Sequence, residues 1–155
     1  MVKYRRLSID ELEELEKEFI QFLAVNGIDA TKWQELKASK TNEADNIIDS
    51  FSDVVVEKSL QNIKYIEHRT SSDYKIFFYD EKEAHMIGVK SNSIDLLKSD
   101  WHKKAPEYFS KNQISLIKGT KKFSKSRTEE LFEMLQKGCS PSEQKWFSVL
   151  GKLAE

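Results

Sequence analysis

The sequence predicts an α+β fold, in which a small antiparallel sheet of three to four strands is packed by N-terminal and C-terminal helices. Short runs rich in aromatic and β-branched residues, separated by polar breaks, lie in the middle third of the chain. Stretches with apolar residues at helical spacing lie on both sides of it. Because the helical and strand patterns come in blocks, alternating βαβ units are not expected.

The central segment, residues 62–90, is predicted to form three antiparallel strands joined by two turns. Its apolar runs and polar breaks follow one another as 63–69, 70–73, 74–79, 80–83 and 84–89. The breaks contain no glycine, so the turn types stay open. If residues 70 and 73 close the first turn and residues 80 and 83 the second, the register is fixed, since a slip of one residue moves every side chain to the other face. That register pairs Ile66 with Phe77, Phe77 with Met86, Tyr65 with Phe78, Phe78 with His85, Glu67 with Ile76 and Ile76 with Ile87.

Both faces of this predicted sheet are rich in apolar residues. The first face carries Ile63, Tyr65, Glu67, Tyr74, Ile76, Phe78, His85, Ile87 and Val89. The second face carries the row Ile66, Phe77 and Met86. A sheet with one solvated face alternates more cleanly between apolar and polar residues. We therefore expect both faces to be at least partly covered, by helices of the same chain or by a partner chain such as a second copy bound through the row Ile66, Phe77 and Met86.

The helices before the sheet are predicted from caps and apolar spacing. Ser8 and Glu11 form a capping box, and the helix that they begin should run to residue 26 and end at Gly27. A short helix is expected from Asp29 or Thr31, and a long one from residue 42 to about residue 60, although a strand could instead begin at 54.

After the sheet, residues 91–112 have no sustained period, which predicts a long connection with short helical turns. Residues 114–118 are predicted to form a fourth strand. A helix should begin at Ser126 or Thr128 and stop at Gly138. Ser140, followed by proline and by a glutamate three residues later, predicts the cap of a last amphipathic helix.

Composition indicates a soluble globular protein that forms one domain over residues 1–155. Apolar residues make up 39% and charged residues 33%, and the formal net charge is −1. A single cysteine excludes an intrachain disulfide framework. No apolar run approaches the ~18 residues that a membrane span needs, and the basic N-terminus lacks a signal-peptide core. A cytoplasmic location is therefore predicted.

Glu67 is the main candidate for chemistry in this sequence. The register places its carboxylate beside Ile76, Tyr65 and Phe78, and burial there would raise its pKa and prepare it for proton transfer. His85 and Tyr65 are the candidate partners. The alternative is that Glu67 lies at the sheet margin and pairs with Arg69 or a lysine.

The histidines and the cysteine do not form a recognisable metal motif. His68 and His85 fall on opposite faces, His102 lies in the irregular segment, and Cys139 stands alone before a helix start. None has the spacing of a metal site, and no cofactor or metal is expected. Each is more typical of a structural or surface side chain. No catalytic motif is present, although side chains distant in sequence can still assemble an active site.

The stretch 118–127 is the strongest basic cluster. Its cations are Lys118, Lys121, Lys122, Lys125 and Arg127, and it leads into a helix start. Free N–H groups at a helix start and lysines both favour anions, so anion or nucleic-acid binding is one hypothesis. Nucleic acid is not favoured, because the pI of about 6.3 is acidic. The alternative is a solvated basic loop that complements the acidic first helix.

Seven stretches together resemble a family of small bacterial proteins of unknown function. They are residues 3–7, 14–19, 25–28, 51–55, 65–69, 121–125 and 135–139. The resemblance implies a bacterial cytoplasmic protein and transfers no activity, cofactor or site.

Three functional hypotheses follow from the sequence. The first is a non-enzymatic interaction module, homodimeric through the Ile66, Phe77 and Met86 face. The second is anion or nucleic-acid binding through the basic stretch. The third is an enzyme with a buried carboxylate at Glu67.

Overall fold

The structure, a computed structural model, describes residues 1–98 and 100–155 and has the predicted α+β class. The described residues form seven α-helices: α1 (Ile9–Glu14), α2 (Glu16–Val25), α3 (Ala30–Ser39), α4 (Thr41–Asn62), α5 (Ala105–Ser110), α6 (Arg127–Gln136) and α7 (Gln144–Leu153). They also form five strands: β1 (Tyr65–Arg69), β2 (Asp73–Tyr79), β3 (Glu83–Lys90), β4 (Ser115–Lys122) and β5 (Ser140–Pro141). None of the described helices is long and apolar enough to span a lipid bilayer.

The sheet is antiparallel throughout, with strand order β4-β3-β2-β1-β5. The predicted register is confirmed at every pair, including Ile66 opposite Phe77 and Phe78 opposite His85. Both turns close as expected: the backbone N–H of residue 70 donates to the carbonyl of residue 73 at 2.7 Å, and that of residue 80 to residue 83 at 3.0 Å. The polar breaks therefore set the register, and the register decides which residues lie on each face of the sheet.

The fifth strand corrects the predicted count of three to four. Ser140 does not cap a helix; it pairs with Glu67, while Pro141 pairs with Ile66. Proline lacks an N–H donor but is tolerated on an edge strand, and β5 is such an edge. The following N–H, of Ser142, donates to the Tyr65 carbonyl at 2.8 Å, so the last helix begins only after Glu143.

Other boundaries also differ from the prediction. The first helix is interrupted at Leu15, whose φ of −101° and ψ of 24° depart from helical values, which separates α1 from α2. Strand β4 extends to Lys122 rather than residue 118, because it pairs with β3 along the whole of Glu83–Lys90. Half of the basic stretch is therefore a strand and not a loop. The alternative of a strand beginning at 54 is also wrong, since α4 continues to Asn62.

Residues 1–59 form one compact unit of helices. Phe51 of α4 lies at its centre, with ring centroids 5.0 Å from Phe19 and 5.4 Å from Phe22. The N-terminal segment is held to α4 by hydrogen bonds, among them one of 3.0 Å from the Leu7 N–H to the buried Ser52 hydroxyl. The apolar residues buried in this unit are Tyr4, Leu7, Leu23, Leu36, Ala44, Phe51 and Val56.

Residues 60–155 form the second compact unit, which contains the whole sheet. The connection 91–114 supplies Leu96, Trp101, Ala105 and Ile114, and α7 supplies Leu150, to a core over the first face of the sheet. This connection contains a 3-10 helix at Trp101–Lys104 and α5, so the prediction of short helical turns is confirmed. The sheet residues in that core are Tyr74, Ile76, Ile87 and Val89.

The second face of the sheet is only partly covered at the predicted apolar row. Ile66 is fully buried, whereas Phe77 and Met86 are half-buried. The prediction of one domain over residues 1–155 stays a prediction.

Candidate ligand-binding groove

An open groove lies between α7 and the first face of strands β3 and β4, and we call it the α7 groove. Its volume is about 690 Å³, within the range of small-molecule sites. Its lining residues are Phe78, His85, Met86, Ile87, Lys118, Gly119, Thr120, Phe147, Ser148, Gly151, Lys152 and Glu155. All of them belong to the unit of residues 60–155.

Aromatic rings form the apolar part of the α7 groove. The ring centroids of Phe78 on β2 and Phe147 on α7 are 5.9 Å apart. Tyr65 supports both, because its centroid lies 5.0 Å from that of Phe78 and 5.9 Å from that of Phe147. Rings held in this way give a ligand a preformed apolar surface at little entropic cost.

Two lysines give the groove its cationic part. Lys118 comes from β4, where it pairs with Ile87 on the first face, and Lys152 comes from α7. Both side chains are exposed. Among residues 1–98 and 100–155, neither lysine has an ion-pair partner within 4.0 Å. The carboxylate of Glu155 also lines the groove.

His85 lines the groove, and partners on either side hold its ring. Its Nε2 lies 2.8 Å from Oδ2 of Asp80, and its Nδ1 lies 3.4 Å from Oγ1 of Thr120. Because an ionised carboxylate can only accept, Nε2 carries the proton in the neutral ring and Nδ1 is the acceptor that faces the Thr120 hydroxyl.

Asp80 is oriented by the turn in which it lies. Its Oδ1 accepts hydrogen bonds of 2.7 Å from the backbone N–H groups of Lys82 and Glu83, which leaves Oδ2 for His85. The N–H of Glu83, together with His85 and the N–H of Lys82, lowers the pKa of Asp80 to about 2. The carboxylate is therefore ionised under all ordinary conditions.

The same turn brings together side chains that can bind a metal ion. One potential ligand atom each of Asp80, Glu83 and His85 lies within 4.8 Å of the others, and Glu83 Oε1 is 3.6 Å from His85 Nε2. Imidazole and carboxylate groups together suit zinc and similar divalent ions. Chain spacing alone gave no indication of this cluster, because a hairpin turn rather than a helix face assembles it.

Of the three candidate catalytic residues from the sequence, two belong to the α7 groove or support it, and one lies outside it. His85 lines the α7 groove and Tyr65 supports its aromatic part. Glu67 does not line the groove. Its Oε2 lies 3.1 Å from Arg69 Nη2, which agrees with the pairing in the stated alternative, but β1 lies between β2 and β5 and not at the sheet margin. The catalytic role of Glu67 stays a prediction.

The cations of the basic stretch are divided among several partners. Lys121 lies 3.8 Å from Glu130, and Lys125 pairs with Glu133. Arg127 binds backbone carbonyls, at 3.0 Å in the case of Tyr79. Lys122 is exposed beside the turn at 80–83, so only Lys118 faces the α7 groove. The five cations do not converge on one site.

Several residues of the groove and of its surroundings are not indicated as functional by the sequence. Asp80, which holds His85 but does not line the groove, is predicted only as a turn residue, and no motif marks Thr120 or Lys152. The hairpin register carried a usable indication for Asp80, since it places a turn carboxylate five residues before His85. Phe147 and Lys152 gave none, because α7 meets the sheet only in the tertiary structure.

The fold and the groove define a small α+β protein with a mixed apolar and cationic cleft beside its last helix. The chain belongs to the family described as a family of unknown function (DUF6495), whose model matches residues 1–155. No curated protein and no solved structure matches the chain. The resemblance to a family without assigned function is thus confirmed.

Proposed function

We propose that this protein binds a small molecule that combines an aromatic or acyl body with a carboxylate or a similar anionic group. The observation that carries the proposal is the α7 groove, whose lining includes the rings of Phe78 and Phe147 together with Lys118 and Lys152, two lysines that have no ion partner within 4.0 Å among the described residues. The apolar body would lie on the rings and the anion between the lysines.

The charges of the groove support an anionic ligand over a neutral one. Lys121 and Lys125 of the basic stretch have acidic partners, whereas Lys118 and Lys152 have none within 4.0 Å among the described residues. Placing an anion beside them adds attraction that a neutral analogue lacks, and the nearby apolar wall strengthens it. Of the five cations in the stretch 118–127, the proposed anion site therefore uses Lys118.

The test is titration of ¹⁵N-labelled protein with 2-naphthoate, followed by two-dimensional NMR. A ligand of about 13 non-hydrogen atoms, at about 0.3 kcal/mol per atom, is expected to have a Kd of about 1 mM. Amide signals of Thr120, Phe147 and Gly151 should shift together. Exchange of Lys118→Gln and Lys152→Gln in one variant should weaken binding about three- to tenfold.

The matched control is Lys90→Gln, which removes an exposed lysine of β3 that does not line the groove. It should leave the affinity unchanged. The proposal is wrong if naphthoate shifts no groove signal at 10 mM. It is also wrong if the neutral analogue 2-naphthamide binds as tightly as the carboxylate.

A second candidate function is self-association through the second face of the sheet. Its support is that Phe77 and Met86 stay half-buried in the single chain, whereas Ile66, the third residue of the same apolar row, is fully buried. Light scattering at 10–500 µM tests it: a dimer that Phe77→Lys converts to a monomer would support the interaction module. A wild-type monomer over this range would remove it.

We also propose a cytoplasmic location. The chain has one thiol, Cys139, which is buried and unpaired with another cysteine, as suits a reducing compartment. Fractionation of the source cells, with detection by an antibody against the protein, tests this; recovery outside the cytoplasm would contradict it.

A further inference from the structure

The α7 groove contains a nucleophile and a base as well as a binding surface. We infer that it catalyses acyl transfer, with Thr120 as the nucleophile, His85 as the general base and Asp80 as the residue that positions the base. This inference rests on the proposed function, because the substrate must first lie in the groove. The substrate class is an ester or thioester of a small apolar acid, and the carboxylate that the groove binds is the product of its hydrolysis.

The three side chains form a hydrogen-bonded line that ends in the groove. Asp80 Oδ2 is 2.8 Å from His85 Nε2, and His85 Nδ1 is 3.4 Å from Thr120 Oγ1. A nucleophile beside a base that is oriented by a third group is the arrangement that activates a hydroxyl, and the contacts are often longer before substrate binds. His85 and Thr120 also line the groove.

The sheet holds this line in place. His85 and Thr120 lie directly opposite each other on β3 and β4, so their side chains share one face. The ring of Phe78 stacks on the imidazole, with centroids 5.9 Å apart and an angle of 21° between the planes. Two backbone N–H groups fix Asp80 in the turn. The base and the nucleophile therefore lie on paired strands, and the residue that positions the base lies in a hydrogen-bonded turn.

The reaction balances without any further reagent than water. The Thr120 proton passes to Nδ1 of His85 as Oγ1 forms a bond to the carbonyl carbon of the ester. The bond from that carbon to the leaving oxygen or sulfur breaks, and His85 returns the proton to the leaving group. Water, deprotonated by the same nitrogen, then releases the acid and restores the Thr120 hydroxyl.

Lys118 supplies the charge that such a reaction needs. It lies two residues before Thr120 on the same strand and on the same face, about 7 Å along β4. Negative charge develops on the carbonyl oxygen in the transition state, and an ammonium group on that side stabilises it. A site that only bound the free acid would not need the hydrogen-bonded line of Asp80, His85 and Thr120.

Covalent labelling tests the inference directly. The full-length protein is incubated with an alkyl fluorophosphonate, and intact mass and peptide mapping locate the adduct. We expect one adduct, on Thr120, and hydrolysis of 4-nitrophenyl butyrate with an initial burst. Thr120→Val should abolish both, His85→Ala should slow labelling by about 100-fold or more, and Thr120→Ser should keep both.

Asp80→Asn separates positioning from folding. An amide at this place favours the wrong tautomer of His85, so labelling at saturating probe should slow about tenfold or more while the Kd of 2-naphthoate is unchanged. Thr70→Val is the matched control, because Thr70 lies in the other turn of the same sheet and outside the groove. It should label like the wild type.

Three results would overturn the inference. They are the absence of any adduct, an adduct on a residue other than Thr120, and labelling that depends on added Zn²⁺, which would point instead to a metal at Asp80, Glu83 and His85. Naphthoate binding with no adduct overturns only the chemistry. If the wild-type protein does not bind naphthoate, the proposed function is overturned as well.

Discussion

The guanidinium of Arg127 donates to the backbone carbonyl of Tyr79, with Nη2 and the oxygen 3.0 Å apart. The same side chain donates from Nε to the backbone carbonyl of Asp80, at 3.1 Å, and from Nη1 to that of Leu60, at 3.4 Å. It also reaches the carbonyl of Ile63 at 2.5 Å. One residue at the start of α6 thereby joins the end of α4 to the end of β2.

Replacing Arg127 with alanine should destabilise the protein by about 2–4 kcal/mol. Several carbonyls would lose a charged donor, and those away from water would stay unsatisfied. Arg127→Lys should recover only part of this, since one ammonium cannot reproduce the planar fork. Urea unfolding measures the change, and Lys137→Ala, an exposed cation after α6, serves as the control. A loss of stability below about 0.5 kcal/mol in Arg127→Ala would contradict the claim that Arg127 holds the end of α4 to the end of β2.

Glu130 is predicted to stabilise the segment before α6. Its carboxylate is buried and accepts from the backbone N–H of Ser124 at 2.8 Å and of Lys125 at 3.2 Å. Glu130→Ala should cost about 1–3 kcal/mol by chemical unfolding. Glu133→Ala, which removes an exposed ion pair with Lys125, should cost about 0–1 kcal/mol. If both variants lose the same free energy of unfolding, the buried hydrogen bonds of Glu130 stabilise the protein no more than the exposed ion pair does.

The same carboxylate should make stability sensitive to acid. Burial acts to raise the pKa of Glu130, but the N–H groups of Ser124 and Lys125 outweigh it and hold the pKa below its ordinary value. The stabilisation is thus present above the unfolded pKa of about 4.3 and lost as pH falls below it. Glu130→Gln should lose less stability than the wild type between pH 6 and pH 3.

Asp80 should contribute a separate acid-dependent term. Its pKa in the folded protein is about 2, set by the Glu83 N–H first and then by His85, so its stabilisation is complete above about pH 4 and disappears as pH falls through 2. Melting temperatures should therefore fall less steeply between pH 4 and pH 2 in Asp80→Asn than in the wild type. Glu81→Gln, on the exposed turn, should follow the wild type.

Gly88 is predicted to be required for the contact between β3 and β4. A Cβ at this position would lie 2.6 Å from Cγ1 of Ile117, its partner across the strands. Gly88→Ala should therefore destabilise the protein by about 1–3 kcal/mol. In an Ile117→Ala background the same substitution should cost much less, because the obstructing atoms are gone. A double-mutant cycle on thermal unfolding would reveal no coupling if this contact is unimportant.

The hairpins could be predicted from sequence because their information is local. Four polar residues between apolar runs leave few ways to close each turn, and Phe78 opposite His85 followed from that choice. Strand β5 could not be predicted, because Ser140 and Pro141 also match a helix start. Only their pairing with β1, some seventy residues away, decides between the two.

The groove was predictable only in part, for the same reason. Register placed Phe78 and His85 side by side, but nothing local brought Phe147 and Lys152 over them. The catalytic hypothesis for Glu67 depends on burial of its carboxylate by the apolar face. The side chain is 16% exposed, and Arg69, two residues along the strand, gives the carboxylate an ion partner, which the hypothesis leaves out.

The most direct measurement of the central claim is a set of intermolecular nuclear Overhauser effects between 2-naphthoate and the protein. If the α7 groove is the binding site, naphthyl protons should show contacts to the rings of Phe78 and Phe147 and to the methyl of Thr120. Contacts confined to other surfaces, or none at all when the ligand is in several-fold excess over its Kd, would contradict the account.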